Sequence, residues 1–241
     1  LKTLWNNAMN STQLQEFQKR INYGFKNQNL LMLAFTHSSY SNEHRLGRLE
    51  YNERLEFLGD AALEFIISKY IYKRFPNMPE GELSKLRASV VCEGSLAKKA
   101  KEIGFGKLLL LGKGEELTGG RERASILADA FEAVIGAVYL DGGIEPARAH
   151  ILRQLENTVG KIRLTLNIID CKTRLQEEIQ KHSKEPIHYE IIGETGPDHN
   201  KLFQAAVSHE GNLLGKGIGK SKKEAEQSAA LDALRAMKII K

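Results

Sequence analysis

The alternation of apolar and polar positions divides the chain into two parts. Up to about residue 160 the spacing is helical. Apolar residues recur every three to four positions over roughly 12–20, 28–36, 50–75, 82–103, 124–140 and 145–160. Pro76 and Pro79 separate the third segment from the fourth. The stretch LGKGEELTGGRER (111–123) reads as a Gly-rich charged loop, and LDGGIEP (140–146) as a turn whose Pro146 can sit in the first turn of the next helix. After about residue 166 the period changes. DCKTRLQEEIQK reads as a helix. IHYEIIGE, KLFQAAVSH and NLLGKGIG read as short strands joined by TGPDHN and EGN turns. SKKEAEQSAALDALRAM closes the chain as a helix, with Ser221 as N-cap and Glu224 three residues on. The expected architecture is an all-α N-terminal domain over 1–165 and a small α+β domain, ordered αβββα, over 168–241.

Composition narrows the class. The chain has 241 residues, 41% hydrophobic and 27% charged, which is enough for one large or two ordinary domains with a core that needs no metal or disulfide staples. Its two cysteines, Cys92 and Cys171, have no metal-ligand spacing and suggest reduced thiols. No secretory signal is read, and the longest apolar stretch, 125–140, contains two acids and is too short for a bilayer. A cytoplasmic protein with no membrane partner is expected. The net charge of +5 is compatible with nucleic acid without requiring it. Residues 1–165 carry 23 bases and 19 acids, and residues 166–241 carry 12 and 11, so any binding signal in the C-terminal part must be local.

Within NERLEFLGDAALEF (52–65) the acids Glu53, Glu56 and Asp60 fall at about 0°, 300° and 340° around a helix, one narrow stripe. Leu55, Leu58, Ala62 and Ile66 lie opposite, while Phe57 and Ala61 border the stripe. A solvated acidic face is one reading. It predicts bases at i+4, yet Glu53 has Phe57 there, Glu56 has Asp60, and Asp60 has Glu64. In SILADAFEAVIGAVYL (125–140) Asp129 and Glu132 are the only charges and share a face of an apolar helix. Buried carboxylates cost several kcal/mol unless paired or bound to a cation, so either an arginine partner or a metal is required. Four carboxylates from two helices, with no His or Cys in either motif, make a hard oxygen site. That suits Mg²⁺ or Mn²⁺ and phosphoryl transfer by metal-activated water.

Together, NERLEFLGDA, FTHSSY (35–40), PEGELSKLRASVV (79–91), LLLGKGEELTGGRERASILADAFEAVIGAVYLDGG (108–143) and the αβββα tail resemble the bacterial ribonuclease III family of double-stranded-RNA endonucleases. The resemblance covers nearly the whole chain apart from residues 1–10. It implies that Glu56, Asp60, Asp129 and Glu132 hold Mg²⁺, with Mn²⁺ able to substitute, and that Asp60 and Glu132 are closest to cleavage. Glu53 and Glu80 match secondary acids of the site region. Glu64 has no counterpart and reads as a surface acid, and His37 reads as a hydrogen-bonded structural histidine. The tail resembles the double-stranded-RNA-binding domain. On that resemblance Thr173, Gln176, Glu177 and Gln180 line its first helix, His199 marks a loop tip, and Lys220, Lys222 and Lys223 cluster at the last helix N-terminus.

The implied reaction is hydrolysis to 5′-phosphate and 3′-hydroxyl ends with short 3′ overhangs. The implied substrates are ribosomal RNA precursors and structured mRNA. The implied assembly is a homodimer through the nuclease domains, since one chain carries one acid set and a duplex has two strands. Phe57 is then an interface or a core residue. The competing readings are a non-catalytic double-stranded-RNA-binding protein, a helical metal-carboxylate oxidase and an RNA chaperone.

Overall fold

The computed structural model describes residues 11–169, 171–197 and 201–239, and the chain forms two compact units, Leu1–Gly160 and Lys161–Lys241. The first unit is helical. Its elements are α1 (Ser11–Ile21), α2 (Gln28–Ala34), α3 (Ser38–Glu43), α4 (Glu53–Arg74), α5 (Glu80–Val91), α6 (Glu93–Ile103), α7 (Lys113–Leu117), α8 (Ala124–Gly142) and the part up to Gly160 of α9 (Ile144–Ile169).

α8 is apolar on every face but the one that carries Asp129 and Glu132, as suits a helix at the centre of a domain. Eleven of its residues are buried, from Ile126 to Val138. Around it Phe17, Phe35, Phe105 and Phe131 form a chain of ring contacts with centroids 5.0 to 5.7 Å apart. The edge-to-face arrangements add to the burial of large apolar area. His150 is fully buried beside Phe131, and burial holds its imidazole down at about 4, so it is neutral inside the core.

Three elements differ from the sequence expectation. The helical stretch 82–103 is two helices, because Cys92 adopts an extended backbone between α5 and α6. Gly94 stands just past this break, but a lone glycine is tolerated inside a helical pattern, so periodicity runs straight through it. The Gly-rich segment 111–123 is not a plain loop. It folds into α7 and a 3₁₀ turn at Gly120–Glu122, joined by Gly119 in the left-handed region at φ 79°. The helix expected to end near residue 160 runs on to Ile169.

The second unit comprises α10 (Cys171–Gln180), β1 (Ile187–Thr195), β2 (Leu202–His209), β3 (Asn212–Gly219) and α11 (Lys222–Ala236). The strands make one antiparallel sheet in the order β1-β2-β3, with irregular register at Ile191/Gly193 and at Val207/Ser208. Ser221 caps α11 by accepting the Glu224 N–H at 3.2 Å, and the Glu224 carboxylate reaches back to accept from the Lys220 N–H at 2.8 Å.

The seam between β3 and α11 is made of small residues. Gly215, Gly217 and Gly219 face the turns of α11 that carry Ala225, Ala229 and Ala233, and a Cβ on Gly217 would lie 2.1 Å from the Ala229 nitrogen. Strand and helix meet backbone to backbone. Leu175, Ile179, Val207 and Leu234 complete the core.

Candidate metal centre and nucleic-acid interface

α4 and α8 cross with almost nothing between them. A Cβ on Gly59 would stand 1.8 Å from the carbonyl oxygen of Glu132, and one on Gly136 would stand 2.2 Å from that of Leu55. Only glycine permits such an approach. The crossing sets the acid stripe of α4 against the acids of α8. The N-terminus of α4 is fixed separately, by the Asn52 N–H donating to the Thr36 carbonyl at 2.9 Å.

Glu56, Asp129 and Glu132 converge. Each is half-buried, and each offers a carboxylate oxygen within 4.8 Å of the others. Among the described residues none of the three accepts a hydrogen bond or pairs with an Arg or Lys. The arginine-paired alternative is therefore not what this crossing builds. Burial and mutual repulsion push Glu56 up to about 7, with Asp129, Glu53 and Asp60 adding to the effect. Burial again, then Asp60, Glu56, Asp129 and Glu64, push Glu132 up to about 8. Asp129 is raised by burial, while the nearby imidazole of His37 pulls it down and Glu93 and Glu53 raise it further. Such a cluster resists ionising at neutral pH until a cation compensates it. The donors are all carboxylate oxygens, so a divalent cation of the hard class fits them.

The remaining acids sit around this core. Asp60 is exposed one turn beyond Glu56 and acts on both glutamates through space. Glu53 is exposed and acts on Glu56 and Asp129. Glu64, read from sequence as a bystander, contributes to the potential at Glu132. Glu80 opens α5 and accepts from its own helix's Ser84 hydroxyl at 2.7 Å, outside the converging trio. Glu93 was not singled out by sequence reasoning. It opens α6 after the break at Cys92, so no periodic signal ties it to Asp129. His37 caps α3, with Nδ1 accepting the Ser39 N–H at 3.2 Å. Phe57 is 80% exposed, which removes the core reading; Phe65 and Tyr72 are exposed on the same side of α4.

These shifts have a sign. A carboxyl raised in the folded state stabilises the protein below its ordinary value of 4.5, and that contribution is lost as pH rises through the folded value. Without divalent cation, the melting temperature should therefore fall between about pH 4.5 and pH 8. Glu132→Gln should flatten the slope and recover about 1–2 kcal/mol at pH 8, allowing for partial exposure. Thermal melts in chelator across that range check this; a slope unchanged by Glu132→Gln would refute it.

In the C-terminal unit Thr173, Gln176, Glu177 and Gln180 are all exposed on one side of α10, opposite buried Cys171, Leu175 and Ile179. Lys220, Lys222 and Lys223 are exposed around the start of α11. His199 lies outside the described residues.

Comparison with known proteins gives these features a context. Residues 27–159 match a family model described as ribonuclease-III-like, and residues 171–237 match the double-stranded RNA binding motif. Ribonuclease 3 of Bacillus velezensis is 52% identical over 225 residues, covering 93% of this chain and 90% of its own. Ribonuclease 3 of a Geobacillus strain is 51% identical over 234 residues, covering 97% and 95%. A solved nuclease domain of ribonuclease III from Campylobacter jejuni superposes with a TM-score of 0.57 at 41% identity, over 62% of this chain and 97% of that one. A second structure of that domain, with a TM-score of 0.56 at 42% identity over 60% and 96%, is described for flexibility in a region involved in its dimer formation. No helix among the described residues is long and apolar enough to cross a membrane.

Proposed function

The chain belongs to the ribonuclease III family, and from that membership we propose that it cleaves double-stranded RNA at the α4–α8 carboxylates, using Mg²⁺. The observation that carries this reading is the convergence of three half-buried carboxylates with no basic partner, in a chain that also has a double-stranded-RNA-binding motif. Glu56, Asp129 and Glu132 would hold the ion, with Asp60 beside it. Bound there, the ion supplies Lewis acidity toward water and the phosphodiester. Mn²⁺ has the same preference for oxygen ligands and can replace it. Glu53 adds negative potential at the rim, and Glu80 has a secondary role.

The trio's carboxylates are read as ligands of the ion rather than as nucleophiles, so the reaction proposed is direct hydrolysis without a covalent enzyme intermediate. In this reading the water displaces the 3′ oxygen, which leaves 5′-phosphate and 3′-hydroxyl ends. Short 3′ overhangs follow if two such sites face one duplex. For that reason we read the protein as a homodimer through its nuclease domains. Phe57, Ala61, Phe65 and Tyr72 form an exposed apolar stripe on α4, suited to a self-complementary contact. Natural substrates in this reading are ribosomal RNA precursors and structured mRNA in the cytoplasm. The catalytic part is 1–165 and the RNA-binding part 168–241.

The testing experiment is digestion of a long RNA duplex with Mg²⁺ and with chelator. Short products bearing 5′-phosphates, formed only with Mg²⁺, are expected. A duplex that is bound but intact in both lanes would instead favour a non-catalytic RNA-binding protein. A second expectation concerns the tail. Removing residues 168–241 should weaken duplex affinity at least about tenfold and reduce the slope of log affinity against log salt, because fewer phosphate contacts release counterions. Equal affinity and slope in a filter-binding titration would refute the role of that domain.

A further inference from the structure

A cavity of about 220 Å³ opens in the C-terminal unit between α10 and the start of β1. Gln176, Gln180, Lys184, Pro186, Ile187 and Tyr189 are among its lining residues. Its position on α10 matters most. Taking Lys172 as 0°, the lining residues Gln176, Ile179 and Gln180 fall at about 40°, 340° and 80°, while Thr173 and Glu177 fall at about 100° and 140°. Gln176 and Gln180 therefore belong both to the cavity and to the exposed stripe proposed to meet RNA. A duplex lying on that stripe lies at the mouth of the cavity.

The chemistry of the lining is uneven. Lys172 is committed: its Nζ lies 2.8 Å from the Glu226 carboxylate and 4.0 Å from the Tyr189 ring centroid. Lys184 is exposed and has no carboxylate within ion-pair distance among the described residues, and the one carboxylate of the lining, Glu185 beside it, is exposed to solvent. The amides of Gln176 and Gln180 have no hydrogen-bond partner among the described residues and offer both donors and acceptors. The Tyr189 hydroxyl is buried with no partner, which is costly unless something else supplies one. Ile179, Pro186 and Ile187 provide apolar walls.

The volume is below that of an ordinary small-molecule pocket and suits one planar ring. Paired bases of an A-form duplex cannot leave the stack to enter it, whereas an unpaired base can turn outward, bury its faces against apolar walls and bond through its edge. We infer that this cavity receives a single unpaired base of the bound RNA, with Lys184 on the adjoining phosphate, so that the domain senses interruptions in a duplex. This rests on the RNA-binding reading of the α10 stripe.

The test uses the full chain carrying Glu132→Gln, without divalent cation, and duplexes of about 16 base pairs. One is fully paired, and in the others a single unpaired nucleotide is walked along the strand. At one register the bulged duplex should bind roughly tenfold more tightly than the paired one. Tyr189→Phe, which removes only the unpartnered hydroxyl, and Lys184→Ala should each erase that preference and leave affinity for the paired duplex within about twofold. A preference at no register would overturn the inference, as would variants that weaken paired and bulged duplexes equally. Absence of binding to the paired duplex by the parent protein would overturn the RNA-binding reading itself, and the cavity's role with it.

Discussion

Glu132→Gln should abolish cleavage of double-stranded RNA while leaving duplex binding intact. Glu132 is the most strongly raised of the three converging carboxyls and faces the largest set of acidic neighbours, Asp60, Glu56, Asp129 and Glu64. Its charge is the one most dependent on a cation for compensation. The amide keeps the shape and removes that charge, so ion and carboxylate no longer stabilise each other. A loss of at least roughly 10³-fold, about 4 kcal/mol of barrier, is expected. The residues of α10 and α11 proposed to meet RNA belong to the other unit, so affinity measured by gel shift should stay within about twofold. Cleavage at more than a tenth of the parental rate would remove Glu132 from the metal site. Parallel loss of binding would mean that the substitution had damaged the fold.

Gly59→Ala should be the most destabilising single methyl that can be added to the nuclease unit. The new Cβ would sit 1.8 Å from the Glu132 carbonyl oxygen. The obstacle is main chain, so no rotamer change can relieve it, and the two helices must move apart. Alanine is the better helix former by about 1 kcal/mol. Against this, overpacking of a rigid crossing costs about 3–5 kcal/mol, so a large net loss should appear in urea denaturation. Gly160→Ala is the control. Gly160 is also helical, but no atom lies within 4 Å of its would-be Cβ, so alanine there should stabilise by about 0.5–1 kcal/mol. If both substitutions stabilise, the close crossing does not exist in solution. Any folded Gly59→Ala protein should also bind divalent cation more weakly, because separating the helices separates Glu56 from Glu132.

The acids were legible in the sequence because they break two local rules at once. Glu56 and Asp60 repel at i and i+4, and Asp129 and Glu132 interrupt an apolar helix. What brings them together was not. A glycine inside a helix signals either weakness or close approach, and only the position of a second glycine, 77 residues away, decides which. Likewise the spacing of Glu56, Asp129 and Glu132 could be read as one face per helix, but not that Asp60 remains exposed while the other three converge. The strand order of the C-terminal unit followed from turn residues and alternation. The glycine–alanine seam behind it did not, because small residues carry almost no hydrophobic signal. Cys92 shows another difficulty: the break there is marked only by Gly94, and a lone glycine inside a helical pattern does not by itself call a break.

The seam between β3 and α11 has one further consequence. Glycine and alanine have no side-chain rotamers, so a joint built from Gly215, Gly217 and Gly219 against Ala225, Ala229 and Ala233 has a single closest approach and no alternative packing. α10 is clamped to the same core through Leu175 and Ile179. The stripe on α10 and the lysines at the start of α11 are thereby held at a fixed separation before any ligand arrives. A ruler of this kind gives up little conformational entropy on binding. It also cannot stretch. If the stripe and the lysines meet an A-form helix as proposed, the same rigidity should make the domain a poorer fit to B-form DNA, whose groove widths place the phosphates at other intervals.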